Sequence, residues 1–387
     1  MRLFLLTVLS VFLCACGAEA VDSDPDTSAA APSDEVVMER VESEAATFRV
    51  VRVMNGLEHP WGVAWLPDGR MLITERPGRL NLVDGETVTT VSGMPEIQAR
   101  GQGGLMDVAP DPDYENTGWI YFTYTAPGEG GNGTVLARGQ LDGTSMTDIE
   151  TLYEQTPFVD SGRHFGSRIV FADDGTLFFG IGDRGQRDPA LNTSNSIGNV
   201  FRLNMDGSIP DDNPFVNAPD TLDEIYSYGH RNPQGMAMDP QGQLWEHEHG
   251  PHGGDELNLI EAGNNYGWPA ITYGDEYSDQ SPIGGIEAPG MEQPVTYWDP
   301  SIAPSGMAFY TGDQFPGWEN QMFVGALAHQ HIRRVVLDGN EVVQQEELLR
   351  NELGRIRDVR VGPDGNLYAL TDEAEGSLYR LEPVDAQ

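Results

Sequence analysis

ADDGTLFFGIGD, residues 172–183, carries the theme on which the fold turns: an Asp-rich turn closed by glycine, then a short apolar strand. The theme returns as LPDGRMLITE at 66–75, APDPDYENTGWIYFTY at 109–124, DPQGQLWEHE at 239–248 and GPDGNLYALTDE at 362–373. A looser copy, TGDQFPGWENQMFVGA, occupies 311–326. Turn glycines supply the backbone freedom that lets a chain reverse between strands. The six copies lie roughly 45–75 residues apart, room for four short strands and a variable loop. Repetition at that spacing predicts an all-β, six-bladed β-propeller, one domain over 47–385. Each blade is a four-stranded antiparallel sheet that buries its faces only against its neighbours. A large β-sandwich with similar turns is the competing architecture. The 46 glycines and 26 prolines among 387 residues, with no long helical pattern, agree with many short strands.

The formal charge is −39, from 61 acidic and 22 basic residues. Phosphate backbones and anionic membrane surfaces would be repelled, which excludes nucleic acid as a partner. Basic residues are scarce, so clustered ones carry information.

The N-terminus reads as a targeting segment. Arg2 precedes the apolar run LFLLTVLSVFL, the length of a signal-peptide core and too short to span a bilayer. It ends at Leu13-Cys14-Ala15-Cys16-Gly17, which resembles a bacterial lipoprotein box. Residues 1–16 are expected to be a signal peptide and Cys16 the lipidated residue. The protein is then periplasmic, held to the outer membrane only by a lipid; ordinary signal cleavage is the alternative. Both cysteines lie in this segment, so the mature domain has no disulfide and no thiol chemistry. Residues 17–46, rich in Ala, Ser, Asp, Glu and Pro, read as a disordered acidic tether.

A propeller brings loops from distant blades to one axial site, so polar clusters beside the repeats can converge there. Gln102 sits among glycines in GQGGLMD, 101–107; a structural turn is the bland alternative. His164 stands ahead of the 172–183 repeat, and Asp183 ends it. A histidine base oriented by a carboxylate is the functional reading, a hydrogen-bonded structural histidine the other. The segment 228–260, YGHRNPQGMAMDPQGQLWEHEHGPHGGDELNLI, holds Arg231-Asn232 and four of the eight histidines. His247 and His249 would suit zinc; carboxylates and the carbonyls bent outward around Gly250-Pro251 would suit calcium equally well. In GRIRDVR, Arg355 and Arg357 leave one strand face, which suits an anionic ligand or a surface salt bridge. Arginines from different blades, a metal-suited loop and a histidine describe a site for a polycarboxylate cofactor.

Several motifs in one order, GQGGLMDV, GDRG, SYGHRNPQG, HEHGPHGGDELNLI, NNYGWP, APSGMAFY and GRIRDVRVGPDGNLYALTDE, run through 48–383. On these the chain resembles the soluble PQQ-dependent aldose sugar dehydrogenases of the glucose/sorbosone dehydrogenase group. That group is a six-bladed propeller holding pyrroloquinoline quinone (PQQ), a tricarboxylate ortho-quinone, with calcium. The resemblance implies that His164 accepts a proton and Asp183 orients it. Gln102, Arg231, Asn232, Tyr277, Ala326, Leu327, Ala328, Arg355, Ile356 and Arg357 would line the quinone. Gly250 and Pro251 would offer carbonyls to the cofactor calcium, and Glu256 and Tyr266 would serve a second, structural calcium. An aldose would be oxidised at its anomeric carbon to a lactone by hydride transfer. Calcium and Arg231 would stabilise the charge developing on the quinone oxygen. Electrons would then pass to a quinone or cytochrome acceptor, and the protein would be a monomer or homodimer. The chain departs from some relatives at Ala328, where they place a lysine; one cofactor-facing charge would then be missing, or replaced by His329 or Gln330. A calcium-dependent propeller lactonase and a cofactor-free sugar- or partner-binding propeller are the alternatives.

Overall fold

The computed structural model describes residues 29–384. Among these residues, twenty-five strands form six sheets around an axis. Strands β1 (Glu35–Glu42) and β2 (Thr47–Leu57) come first. Blade one is β3 (Pro60–Trp65), β4 (Met71–Glu75), β5 (Arg79–Asp84) and β6 (Thr87–Thr90). Blade two is β7 (Leu105–Pro110), β8 (Trp119–Gly128), β9 (Gly131–Asp142) and β10 (Ser145–Glu154). Blade three is β11 (Ile169–Phe171), β12 (Thr176–Ile181), β13 (Asn199–Asn204) and β14 (Ile225–Tyr228). Blade four is β15 (Pro233–Met238), β16 (Leu244–Glu248), β17 (Asp255–Ile260) and β18 (Thr296–Trp298). Blade five is β19 (Pro304–Phe309), β20 (Met322–Ala326), β21 (His331–Asp338) and β22 (Glu341–Leu348). Blade six is β23 (Ile356–Val361), β24 (Leu367–Thr371) and β25 (Gly376–Pro383). β2 pairs with β25 and β1 with β2, so the chain's start completes its last blade and closes the ring.

The repeated turn is the hairpin between the first and second strands of four blades. In blade three, Ala172 donates to Thr176 O at 2.9 Å, Asp174 Oδ1 accepts from the Thr176 amide at 3.0 Å, and Gly175 takes φ +81°. Gly69, Gly242 and Gly365 repeat that left-handed position. The strand after the turn is not half-polar, as simple alternation would make it: all six residues of β12 are buried. Leu177, Phe179 and Ile181 pack against blade two, while Phe178 packs against blade four. Each sheet lies between two others, so both faces are apolar. Six such clusters fill the six junctions between neighbouring blades.

The expected tether needs correction. In its described part it is built into the fold: Ala29 packs between blades six and one, and β1 forms the outer edge of blade six. An edge strand needs backbone partners on one side only and can remain polar, so acidic composition hid it. Glu35 pairs with Arg52, and Asp34 with Arg380 at 3.0 Å. The signal segment and Cys16 lie outside the described residues.

On the axis, below the innermost strands' starts, Asp107 and Asp358 meet Arg168 and Arg360. Arg168 Nη1 lies 3.1 and 3.0 Å from the two carboxylates, and Arg360 reaches them at 2.8 and 2.9 Å. Two charges of each sign balance in a region where Arg168 and both aspartates are almost wholly buried.

Candidate active site

The blades deliver side chains to one end of the axis by a common rule. The innermost strand starts there and the second strand ends there. Trp61, Met106, Gln234 and Arg357 therefore come from innermost strands, and Arg76, His249, Leu327 and Asp372 follow second strands. Together they enclose a cavity of about 250 Å³.

His164 stands at its edge in left-handed backbone, φ +56°. Its amide donates to Gln102 Oε1 at 2.7 Å. Its Nδ1 lies 2.5 Å from Asp183 Oδ1, and Asp183 Oδ2 accepts the Trp268 indole N–H at 2.8 Å. The Gly185 amide donates to Asp183 Oδ1 at 2.6 Å, and the Asp183 amide to Arg231 O at 2.7 Å. Gly182 is required because a side chain there would meet His164 O and Arg231 O. Burial pushes the His164 imidazole below its usual pKa, outweighing the hydrogen bond to Asp183, and Arg231 adds to the effect. Burial pushes Asp183 upward, but the hydrogen bond and charge of His164 and the charge of Arg231 hold it below the usual carboxylate range. The pair is thus a neutral imidazole on an ionised carboxylate, with Nδ1–H committed and Nε2 left to accept a proton.

The rest of the wall is cationic above an apolar floor. Trp61, Met106 and Phe165 form the floor. Arg168 stacks on Trp61 at 4.4 Å and Arg184 on Phe165 at 3.7 Å. Arg357 Nη2 lies 2.5 Å from Asp372 Oδ2, and His59 Nδ1 is 2.9 Å from Asp372 Oδ1. Arg355 Nη1 donates to Leu327 O at 3.3 Å, and Arg76 lies 3.9 Å from Asp372. The buried Arg357 Nε has no partner. One carboxylate faces three guanidinium groups, so the cavity suits a flat ligand carrying several negative charges.

Arg231 Nη1 donates to His249 O at 2.9 Å and Gly250 O at 2.7 Å, so two carbonyls converge on one cationic point. Asp255 fixes this loop by accepting from the amides of Gly250, Ile302 and Ala303 and from the Ser301 hydroxyl. Behind it, register pairs Glu248 with Glu256 and Glu246 with Asn258 on one sheet face. His230, Glu246 and Glu248 bring ligand atoms within 4.8 Å of one another. Glu246 Oε1 and Asn258 Oδ1 are buried without partners. Burial drives the Glu246 and Glu256 carboxyls well upward, with the Glu248 charge adding to both. This oxygen-rich pocket fits a calcium-type cation, whose charge would offset the cost of ionising its carboxyls there. Tyr266 stacks on His230 at 4.8 Å, but its hydroxyl is spent on Leu259 O and the Glu261 amide. The zinc reading of His247 and His249 has no third protein ligand among the described residues. His249 Nε2 is taken by Pro304 O at 2.7 Å, and the His247 ring is buried without a partner.

Gln102, Asn232, Leu327, Arg355 and Arg357 thus meet around one cavity, with His164 and Arg231 at its edge. Four expected lining residues lie elsewhere. Ala326 and Ile356 turn into the cores between blades, since alternate strand residues point to opposite faces. Tyr277 is 66% exposed on the 273–295 loop, edge-on to His252. Ala328 is half-buried, with its amide on Ile302 O. Arg76, Trp61, Asp372, His59 and Trp268 were not singled out from sequence. A usable signal exists for two of them: Arg76 and Asp372 directly follow the repeated second strand, as His249 does.

The glucose/sorbosone dehydrogenase family model matches residues 57–380. The aldose sugar dehydrogenase YliI of Escherichia coli K12 is 44% identical over 87% of this chain and 94% of its own length. Quinoprotein glucose dehydrogenase B of Acinetobacter calcoaceticus is 31% identical over 83% and 85% respectively. Among solved structures, the apo-form of the E. coli soluble aldose sugar dehydrogenase superposes with a TM-score of 0.84 at 43% identity, covering 87% of this chain and all of that one. A PQQ-bound aldose sugar dehydrogenase of Streptomyces coelicolor gives 0.71 at 27% identity, over 91% of this chain and all of that one. With the propeller and its cationic axial cavity, these likenesses establish that the chain belongs to the glucose/sorbosone dehydrogenase family, a family of sugar-oxidising oxidoreductases.

Proposed function

We propose that this protein oxidises aldose sugars at the anomeric carbon to lactones, using PQQ and calcium. One observation carries the reading: the His164–Asp183 pair, with Nε2 open, borders a flat-floored cavity ringed by arginines. Bound PQQ would supply the two-electron, hydride-accepting chemistry. Arg355 and Arg357 would hold its carboxylates, and Gln102 and Asn232 its edge. The carbonyls of Gly250 and Pro251 would serve the calcium beside it. The Glu246–Glu248–Glu256–Asn258 pocket would hold a second calcium.

His164 Nε2 takes the proton of the anomeric hydroxyl as the C1–H bond breaks. Asp183 stabilises the resulting imidazolium through Nδ1–H. Arg231, held by Glu248 through its amide, presents positive charge where negative charge develops. The Trp61–Met106–Phe165 floor keeps water from the reacting face.

We place the mature protein in the periplasm on a lipid at Cys16, delivering electrons to a quinone or cytochrome. A central-metal lactonase is disfavoured because the axial carboxylates Asp107 and Asp358 are already neutralised by Arg168 and Arg360. The cofactor-free alternative rests on Ala328. Adding PQQ with calcium to the apo-protein and following dye reduction by a panel of aldoses decides between them. No reduction and no change in cofactor absorbance would overturn the proposal.

The pH profile has a fixed sign. Only neutral His164 accepts a proton, so kcat/KM holds above its depressed pKa and falls as pH drops through it. Trp268→Phe removes one hydrogen bond from Asp183, which strengthens the carboxylate's pull on the imidazole. Its acid limb should therefore move to higher pH, with kcat lowered by roughly 10-fold, the scale seen when a partner that orients a working side chain is lost. An unmoved acid limb would assign Trp268 to packing alone.

A further inference from the structure

All 22 basic residues of this chain are arginine; it contains no lysine. Blade five, with Ala328, brings no cation to the cavity, and blade one brings Arg76. Arg76 directly follows β4, in the place that His249 holds after β16 and Asp372 after β24. Its backbone is held on both sides: its amide donates to His59 O at 3.0 Å and its carbonyl accepts from the Leu105 amide at 3.2 Å. Gly104 permits this, since a side chain there would lie 1.8 Å from Arg76 O. The last glycine of GQGGLMD thus serves to seat Arg76.

Both oxygens of Asp372, the nearby carboxylate, are engaged by His59 and Arg357. Arg76 stands off at 3.9 Å, beyond hydrogen-bond range, with 21% of its side chain exposed toward the cavity it lines. Burial opposes its charge, the Asp372 carboxylate offsets only part of that, and Arg357 and Arg355 repel it further. A guanidinium kept among like charges with no hydrogen-bonded carboxylate of its own is poorly explained by stability and well explained by an incoming anion.

We infer that Arg76 is a carboxylate-binding residue of this cavity, supplying from blade one, for a planar polycarboxylate, the positive charge that blade five lacks. The inference rests on the quinone reading above. The test is quenching of tryptophan fluorescence, since Trp61 forms the floor, on titrating the calcium-loaded protein with PQQ or with trimesate, a planar benzene tricarboxylate that is not a quinone. Arg76→Gln should weaken both anions roughly 10- to 100-fold by removing a charge-assisted contact, with its melting temperature kept. Arg76→Lys keeps the charge without the fork and should fall between; it also serves if the glutamine variant folds poorly. Arg76→Gln binding both anions within about two-fold of wild type would overturn the inference, and PQQ binding by wild type would then leave the cofactor reading standing. If wild type binds trimesate but not PQQ, and Arg76→Gln binds neither, the cofactor reading fails and Arg76 stands. If wild type binds neither anion, both fail.

Discussion

Replacing His164 with alanine is expected to abolish most turnover while leaving the cavity able to bind its cofactor. The loss should be on the order of 10²–10⁴-fold in kcat, the contribution of a well-placed general base. The imidazole holds no part of the arginine wall; its contacts are Asp183 through Nδ1 and Gln102 through the backbone amide. The backbone contact survives the substitution, although alanine accepts the left-handed φ of +56° less readily than the folded state demands. His164→Asn, which tolerates that backbone better, separates strain from chemistry. Both variants should quench with PQQ as wild type does. Either one turning over at the wild-type rate would remove His164 from the base role.

The second large effect concerns stability. Asp107→Ala should lower stability by roughly 3–5 kcal/mol, because it removes one carboxylate from the balanced axial cluster and leaves Arg168 underpaired where water cannot reach it. The Ile169 amide also loses its acceptor, Asp107 Oδ2 at 2.8 Å. That amide begins blade three, so the damage reaches the strand that follows His164. A drop of roughly 10 °C in melting temperature is expected. The exposed Asp68–Arg70 pair is the control; Asp68→Ala should change stability very little. If Asp107→Ala melts within about a degree of wild type, the cluster contributes nothing beyond neutrality.

Much of the site was legible because its groups stand beside punctuated repeats. His164, Asp183, Arg231 and the Arg355–Arg357 pair lie next to strand starts or ends, and glycines mark each one. Arg76 and Asp372 carried the same positional signal, but a lone arginine after LITE and an aspartate in TDE look like surface charge until other blades surround them. Ala326 and Ile356 failed differently. Each shares its stretch with lining neighbours, but a strand sends alternate residues to opposite faces.

The count of blades, the turns that begin each second strand and the acidic exterior follow from local spacing and composition, which every stretch of chain carries within itself. The pairing of β1 onto blade six, the burial of both faces of β12, the axial Asp–Arg cluster and the placing of Arg76 beside Arg355 and Arg357 arise differently. They come from contacts between segments tens to hundreds of residues apart. Closing the ring brings such segments to one axis, where a charge that is ordinary in sequence becomes desolvated, crowded and available for an anion.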